Sequence, residues 1–428
     1  MNEVESPRGD PPEASRSTGE RRRPGSIGTF AALARPNYRL WFFGQMTSLF
    51  GTWMQSTAQG YLVFELTRSS AWLGYIGFAG GIAPWLFMLL GGVLADRRSR
   101  RGILVVTQGL SMLLAAVLSA LVFARVVAPW HILVLAFLLG GVNAFDAPAR
   151  QSFILEMVGR EHLTNAIALN SAMFNAATVV GPAVGGLAYA AFGPGWCFAI
   201  NGISFVAVIA ALLAMRLGPR PAAAPGIPIR IQVAEGLRAI AAERRILALI
   251  VLVGLSSLFG FSVVTLMPAW AVKVLGGDAR TNGLLQSARG AGALLATLGI
   301  ASLAGRARGR GRLLTAGSLA FPVVLAVLSF TRSLPLSLAC LFLAGSALIS
   351  MFNLSNALVQ TLVPDAVRGR VMSVYNLAFL GLAPIGSLAI GAWAERFGEP
   401  SAVLVFALVS LACTGGIALA APSLRRLA

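Results

Sequence analysis

Residues 92–101 read Gly-Val-Leu-Ala-Asp-Arg-Arg-Ser-Arg-Arg, a basic stretch that contains one acid. It joins two apolar runs, centred near Ala83 and Leu114, that are each long enough to cross the hydrocarbon core of a bilayer as a helix. A related stretch, Leu-Ala-Gly-Arg-Ala-Arg-Gly-Arg at 303–310, follows a later apolar run and has Gly305 in the place of Asp96. This recurrence predicts two copies of one membrane-embedded unit.

The composition is that of a membrane protein. Of the 428 residues, 57% are hydrophobic and 12% are charged, whereas soluble domains carry about a quarter charged residues. The net charge of +18 comes from short basic segments between apolar runs, so we expect the lipid bilayer, and no nucleic acid, as a partner. The two histidines and three cysteines form no cluster with ligand spacing, which predicts no metal site, and we expect no cofactor.

Twelve apolar runs, numbered here as spans 1 to 12, account for most of the chain. A stretch rich in Pro and Arg divides them into six and six. We therefore predict an all-α integral membrane protein with twelve transmembrane helices in two parallel six-helix repeats. The predicted units are a disordered cytoplasmic tail at 1–35, an N-terminal bundle at 36–217, a cytoplasmic central loop at 218–244 and a C-terminal bundle at 245–428. The runs are centred near Thr52, Ala83, Leu114, Leu138, Ala177, Val206, Leu258, Gly292, Val323, Leu348, Leu382 and Leu411.

The basic residues predict the orientation. If both termini are cytoplasmic, 27 of the 34 basic residues flank spans on the cytoplasmic side and six lie in outer loops. Positive residues near span ends are retained in the cytoplasm. We therefore expect a multi-pass protein of the cell (inner) membrane with both termini in the cytoplasm.

Two spans carry polar residues at helical spacing. Such a face is predicted to line a wet cavity, because bulky amides fit poorly into close helix contacts. The alternative is that these groups hydrogen-bond between helices, where each bond contributes about 0.6 kcal/mol on average. The faces are Gln45, Ser48, Thr52, Gln55 and Gln59 in span 1, and Ser346, Ser350, Asn353, Asn356 and Gln360 in span 10.

Charges within the spans are costly and by default mark a pathway or a paired site. Arg289, near the middle of span 8, is the deepest. We hypothesise that it faces the cavity and attracts an anionic group of the substrate; the alternative is a structural pair with a carbonyl or with Glu65. For proton coupling a buried carboxylate is needed, and the candidates are Asp146 and then Glu65.

The first basic loop has a predicted mechanical role. Asp96 and its arginines, together with Asp146 or Glu156 at neighbouring helix ends, are expected to form ion pairs that hold the inner side closed. The alternative is an anchor that only sets orientation. In span 5 the stretch Gly181-Pro182-Ala183-Val184-Gly185-Gly186 predicts a kink, since proline removes a backbone hydrogen bond. The alternative for any glycine is static packing.

Taken together, these motifs resemble the major facilitator superfamily of secondary transporters. Its signature loop, Gly-x-Leu-Ala-Asp-Arg-x-Gly-Arg-Arg, is matched at every fixed position except Ser99, and span 5 is similar to the Gly-Pro-x-x-Gly-Gly motif of the family's antiporters. The matching loop residues are Gly92, Leu94, Ala95, Asp96, Arg97, Arg100 and Arg101.

The stretch Asn143–Gln151, followed by Leu163–Ala166 and Asn170–Ser171, looks like the enterobactin-exporter and macrolide-efflux branch of that superfamily. This resemblance implies export of a drug or siderophore-like molecule in exchange for protons. It also implies that Asp146 and Arg150 are inner-gate partners of the loop, and we place Asn143 in the substrate cavity. The loss of the acid at Gly305 puts gating by the second loop in doubt.

Other classes of function fit less well. An ATP-driven pump needs a phosphate loop with Gly-Lys, and the sole lysine, Lys273, lies in Val-Lys-Val. A membrane enzyme is disfavoured because no catalytic cluster of His, Cys or paired acids is present. A facilitator-like importer, or a sensor or scaffold that does not transport, stays an alternative to the exporter. We expect a monomer.

Overall fold

The computed structural model describes residues 30–217, 229–302 and 309–426, which form helices joined by short connections. Most of the predicted tail, residues 218–228 of the central loop and residues 303–308 of the second basic loop lie outside the described residues. The long helices are Pro36–Thr67, Ser70–Arg97, Arg100–Phe123, Pro129–Phe192, Pro194–Ala214, Arg244–Phe259, Ala279–Ser302, Arg310–Phe330, Leu334–Leu362, Asp365–Phe397 and Glu399–Ala420.

These helices provide the twelve predicted spans. Pro129–Phe192 contributes two of them, because the backbone leaves helical geometry at Gly159, where φ is +71°; span 4 is 129–158 and span 5 is 160–192. Span 7 continues from Arg244–Phe259 through short helical turns to Val274. The described residues therefore contain twelve segments of membrane-spanning length, and the prediction of an all-α membrane protein is confirmed.

The amino-acid composition identifies fewer spans than the helix lengths do. Nine helical stretches of the described residues are both long and apolar enough to cross a membrane, with spans 4 and 5 counted as one. Spans 1 and 8, Pro36–Thr67 and Ala279–Ser302, are long enough but too polar to meet that criterion. Their polarity has a structural reason, because both contribute side chains to the cavity described below.

The outer face of the bundle is apolar. Span 3 exposes Val106, Leu110, Leu113 and Val117, which are spaced by four, three and four residues and so lie on one helical face. A stripe of this kind in contact with water would be unfavourable, whereas hydrocarbon is a matching solvent for it. We conclude that this face of span 3 lies against lipid.

Each half has its own buried core. The second half is packed around a large cluster that includes the fully buried Trp270 and Tyr375. The first half has two smaller clusters, one containing Trp41 and Phe153 and the other containing Phe198. Because the cores are built mainly from residues of one half, each half can keep its shape while its contact with the other changes.

The halves meet along two pairs of helices, spans 2 and 11 and spans 5 and 8. Small residues permit the close approach at both places. A methyl group placed on Gly74 would lie 2.7 Å from the carbonyl oxygen of Ser387, and one on Gly186 would lie 2.5 Å from that of Ala279. Both contacts lie near the end of the bundle that carries Glu395 and Glu399, which we call the Glu399 end.

The predicted central loop is partly helical. Ile229–Ala242 forms a helix, and its Glu235 makes an ion pair with Arg370 near the start of span 11. A methyl group on Gly236 would lie 3.0 Å from the Arg370 carbonyl oxygen, so this linker helix lies directly against the second half. The contact is at the opposite end of the bundle, the arginine-rich end, which carries Arg97 to Arg101.

Candidate substrate cavity

A cavity of about 930 Å³ lies between the two halves. Pockets that bind small molecules have volumes of about 300–1,000 Å³. All six spans of the first half and spans 7, 8 and 11 of the second contribute to its wall. The cavity therefore has the size of a substrate site and the position that alternating access requires, at the contact between two bodies.

The polar face of span 1 lies in this wall. Gln45, Ser48, Thr52, Gln55 and Gln59 all line the cavity, as their spacing predicted. Thr52 is exposed to the cavity and Gln55 is buried.

The buried Gln55 is held by span 6. Its Oε1 accepts a hydrogen bond of 2.7 Å from Nδ2 of Asn201, which is also buried. Asn143 of span 4 lines the cavity as well and is exposed. The first half thus contributes two kinds of amide to the wall. Gln55 and Asn201 are fixed by a hydrogen bond to each other, and Asn143 is exposed and able to bond to a ligand.

Asp146 is the buried acid of the cavity wall. Its Oδ1 accepts hydrogen bonds from Thr107 Oγ1 at 2.9 Å and from Gln108 Nε2 at 2.8 Å, and its Oδ2 accepts from Arg150 Nε at 2.8 Å. Arg150 is one helical turn away and forms an ion pair with it. The Arg150 guanidinium also lies 5.9 Å from the centre of the Trp41 ring, a cation–π distance.

Arg289 is placed outside this cavity. Its guanidinium lies 5.8 Å from the centre of the Phe261 ring, and its Nε is buried with no hydrogen-bond partner among the described residues. Phe261 lines the cavity and Arg289 does not. Arg289 thus packs against an aromatic ring of the cavity wall and is not itself part of that wall.

Ser350 and Asn353, expected to line the cavity from span 10, are also absent from its wall. Asn353 Nδ2 lies 3.5 Å from Thr297 Oγ1, and Ser346 Oγ donates to the Gly292 carbonyl oxygen at 2.9 Å, both in span 8. Span 10 therefore turns its polar face toward span 8, where the absence of a side chain on Gly292 permits close contact. Ser346 and Asn353 therefore follow the alternative interpretation, hydrogen bonding between helices, whereas Gln360 bonds to Asn356 of its own helix.

The first basic loop ties together spans of the first half. Arg100 donates to Glu156 Oε1 at 2.6 Å and to the Ser152 carbonyl oxygen. Arg101 donates to the carbonyl oxygens of Leu213, at 2.7 Å, and Met215. These bonds connect the start of span 3 to spans 4 and 6.

Two other residues of this loop lie in open surroundings. Gly92 has open space around its Cα and Arg97 is exposed. The side chain of Asp96 lies outside the described part of the chain. Asp146 pairs with Arg150 of its own helix, and the partner of Arg100 is Glu156; of the two acids expected to join the loop, the structure places Glu156 there.

The glycines of span 5 are packing positions. A methyl group on Gly181 would lie 2.5 Å from Trp53 Cβ, and one on Gly185 would lie 2.9 Å from the Met54 carbonyl oxygen, both in span 1. Gly186 faces span 8 instead. The backbone stays helical through Pro182, and the break in this helix is at Gly159.

Glu65 lies near the Glu399 end of span 1 and is exposed. It accepts a hydrogen bond from the Tyr189 hydroxyl of span 5 and is not part of the cavity wall. The two proton-coupling candidates therefore occupy different environments, since only Asp146 is both buried and at the cavity.

The structure adds a polar cluster that sequence analysis missed. Glu399 is buried at the start of span 12, and its Oε1 accepts from Lys273 Nζ at 2.7 Å and from Ser70 Oγ at 2.6 Å. Glu395 accepts from Ser69 Oγ at 2.9 Å and from the Ser70 backbone N–H at 2.7 Å. We call these five residues the Glu399 cluster. The four-residue spacing of its two acids was the available signal.

The Glu399 cluster joins the two halves. Its serines begin span 2, whereas Lys273, Glu395 and Glu399 belong to the second half. Carboxylates near a helix N-terminus are stabilised by the free backbone N–H groups and the helix dipole. The cluster therefore links the two halves at the Glu399 end of the bundle.

Comparisons with known proteins agree with this architecture. Residues 27–426 match the family described as transmembrane secretion effectors, MFS_3. The chain is 27% identical over 398 residues to the multidrug efflux pump Tap of Mycolicibacterium fortuitum, covering 90% of this chain and 95% of the relative. It is 24% identical to the staphyloferrin A transporter of Staphylococcus aureus, covering 84% and 90%, and 26% identical to the enterobactin exporter EntS of Escherichia coli, covering 83% and 85%.

Solved structures with the same fold include a bacterial homologue of the human lysosomal transporter Spinster, with a TM-score of 0.65, 16% identity and coverage of 91% of this chain and 95% of that chain. A POT family transporter has a TM-score of 0.71 at 12% identity, covering 90% and 96%. The resemblance to the major facilitator superfamily is confirmed. The chain belongs to its transmembrane secretion effector family, and it is a multi-pass membrane transporter, not an enzyme.

Proposed function

We propose that the protein exports a small organic molecule across the cell membrane by alternating access, in exchange for protons. The observation that carries the proposal is the substrate-sized cavity between two separately packed halves that are held together at the Glu399 end. Export, in preference to import, is supported by relatives named as an efflux pump and as an exporter. A drug or siderophore-like compound is the corresponding cargo.

The proposed orientation of the protein in the membrane follows from the distribution of its arginines. The arginine-rich end and both termini lie in the cytoplasm, so the cavity in this conformation is closed on the outer side by the Glu399 cluster. The cavity wall extends toward the arginine-rich end through Arg150, Gln151 and Ile154. The complete cavity is formed by one chain, which supports action as a monomer.

Asp146 is the proton-coupling residue in this proposal. It is buried at the cavity, and its partner Arg150 is partly exposed. Protonation of Asp146 would remove the negative charge that holds Arg150, so proton binding changes the charge and the hydrogen bonding of the cavity wall. Glu65, which is exposed and outside the wall, is the second candidate.

The remaining predicted residues have structural roles in this mechanism. The loop from Gly92 to Arg101 keeps the cytoplasmic ends of spans 3, 4 and 6 moving together, through Arg100 and Arg101. The small residues at Gly181, Gly185 and Gly186, with Pro182 between them, let span 5 move against spans 1 and 8. In both roles these residues allow one half to move as a rigid body relative to the other.

The test is accumulation of chloramphenicol, ethidium and 2,3-dihydroxybenzoylserine in cells that express the protein, with and without a protonophore. We expect lower accumulation of at least one compound, reversed by the protonophore and by Asp146→Asn. The matched control is Glu161→Gln, an exposed acid whose contact with Arg35 is 3.7 Å long. Unchanged accumulation of all three would contradict export. Export that persists in Asp146→Asn with full protonophore sensitivity would move coupling to another acid.

A further inference from the structure

The charges of the cavity wall cancel each other. Among the described residues that line it, Asp146 and Arg150 are the charged side chains, and they form an ion pair. Arg289, the other charge deep in the spans, is separated from the cavity by Phe261. A ligand in this conformation therefore meets no uncompensated charge.

A charged ligand would be poorly stabilised in such a site. An ion that leaves water loses its hydration, and the loss is offset only by an opposite charge or by a dense set of hydrogen bonds. Asp146 is already satisfied by three side chains. An uncharged ligand loses much less hydration free energy on entering the cavity, so the wall favours an uncharged ligand over a charged one.

The hydrogen-bonding capacity of the wall is concentrated on one side. Eight Asn and Gln side chains from the first half line the cavity, whereas Gln286 is the single amide from the second half. The second half also contributes Thr265 and Ser387, but their hydroxyls lie 2.8 Å apart and bond to each other. The cavity thus has one wall that offers both donors and acceptors.

The first half also contributes aromatic side chains to the cavity, Trp41, Phe174 and Phe205. The wall contributed by the second half is apolar and partly aromatic. Phe261 and Phe379 line it, and their rings lie 5.8 Å apart. Leu380, which is 58% exposed, extends this surface. Aromatic faces of this kind bury large apolar area and stack on flat ligand groups.

We propose that the substrate is an uncharged amphipathic molecule. Its hydroxyl, carbonyl or amide groups bond to the amides of spans 1 and 4, and its apolar or aromatic side packs against Phe261 and Phe379. This inference rests on the proposed transport function and narrows its cargo: it favours uncharged drug-like compounds over polycarboxylate or catecholate anions.

The test uses three compounds on one scaffold with the purified full-length protein. Chloramphenicol is uncharged, its succinate ester is an anion, and the amine left after removal of the dichloroacetyl group is a cation. We expect chloramphenicol to bind at least tenfold more tightly than either relative, by titration at pH 7.5 in nanodiscs.

Two charge variants sharpen the result. Gln59→Glu puts a carboxylate into the wall and should shift the preference tenfold or more toward the cationic amine. Gln360→Glu makes the same change on span 10, outside the cavity wall, where Gln360 bonds to Asn356, and should leave the preference unchanged. A Gln59→Glu protein that fails to fold is replaced by Asn143→Asp.

The outcomes separate this inference from the proposed function. Tighter binding of the succinate ester than of chloramphenicol, or no binding of any of the three up to 1 mM, would overturn the inference and leave export standing. Preferred binding of chloramphenicol, without movement driven by a pH gradient in proteoliposomes, would support the inference and overturn coupled export.

Discussion

Replacing Glu399 by Gln should open the Glu399 end of the bundle. The carboxylate of Glu399 bonds to Lys273 Nζ at 2.7 Å and to Ser70 Oγ at 2.6 Å, and the Ser70 bond exists only while the halves are in contact. Lys273 and Glu399 belong to the same half, so only the Ser70 bond depends on closure. A hydrogen bond to a charged group contributes about 1.5–3 kcal/mol and one between neutral groups about 0.5–1.5 kcal/mol, so Gln in place of Glu weakens closure by about 1–2 kcal/mol. That corresponds to a shift of about five- to thirtyfold toward the open state.

The opening can be measured as the reactivity of an introduced cysteine. Leu73 lines the cavity close to the Glu399 end and is 4% exposed. In Leu73→Cys, made after replacing Cys197, Cys340 and Cys413 by Ala, the rate of alkylation by a maleimide reports the fraction of time the end is open. A membrane-impermeant maleimide added to intact cells reaches the cysteine only from the outer side, where the proposed orientation places the Glu399 end. We expect a five- to thirtyfold faster rate with Glu399→Gln.

Two further variants test the reasoning. Ser70→Ala removes the partner from the other half and should accelerate alkylation in the same direction, and less than additively when combined with Glu399→Gln. Asp365→Asn removes an acid from an exposed ion pair with Arg368, away from the Glu399 cluster, and should have no effect. Equal alkylation rates in the parent protein and in Glu399→Gln would refute the assignment of this cluster as a contact that closes the cavity.

Two other predictions concern packing and selectivity. Gly186→Ala adds a methyl group 2.5 Å from the Ala279 carbonyl oxygen. It should lower the free energy of unfolding by about 1–3 kcal/mol, which is measured as a lower melting temperature. The control is Gly109→Ala, whose added methyl group has no atom within 4 Å and should not lower the melting temperature. Arg289→Gln should leave the ratio of anionic to cationic compound exported unchanged, because Phe261 separates Arg289 from the cavity; a selective loss of anion export would contradict this placement.

The features that could be predicted from sequence are the local ones. Helix length and apolar content predict the spans, because a bilayer forces each crossing segment to satisfy its own backbone. The polar face of span 1 was also predictable, since the spacing of Gln45, Ser48, Thr52, Gln55 and Gln59 fixes which side chains share a side of the helix. No knowledge of neighbouring helices is needed for either prediction.

The direction in which a polar helix face points could not be predicted from the sequence. Span 10 carries the same kind of stripe as span 1, and yet Asn353 faces Thr297 of span 8. The rotation of span 10 is set by its close contact with span 8, where Ser346 bonds to the Gly292 carbonyl. A glycine on one helix and a serine fifty residues later carry no sequence signal of their pairing. For the same reason the position of Arg289 behind Phe261 was not predictable.

The internal repeat predicts two similar halves, and the structure shows why their chemistry diverges. Spans 4 and 10 occupy matching places in the repeat, but only span 4 contributes polar side chains to the cavity, including Asn143 and Asp146. The second half supplies Phe261 and Phe379 to the cavity, in addition to the aromatic side chains of the first half, and it carries the acids of the Glu399 cluster. The ion pair and most of the amides of the cavity wall therefore come from the first half, and the acids of the Glu399 cluster come from the second.

This division has an energetic consequence. Alternating access requires the closed and open states to differ by only a few kcal/mol, so that a ligand or a proton can shift the balance. A charge-assisted contribution of about 1–2 kcal/mol from the bond between Glu399 and Ser70 is small enough for ligand binding to overcome and large enough to keep the empty cavity closed on one side. Stronger closure, such as several fully buried ion pairs, would hold the protein in one state. A purely apolar contact would lack the directional hydrogen bonds that define the closed state.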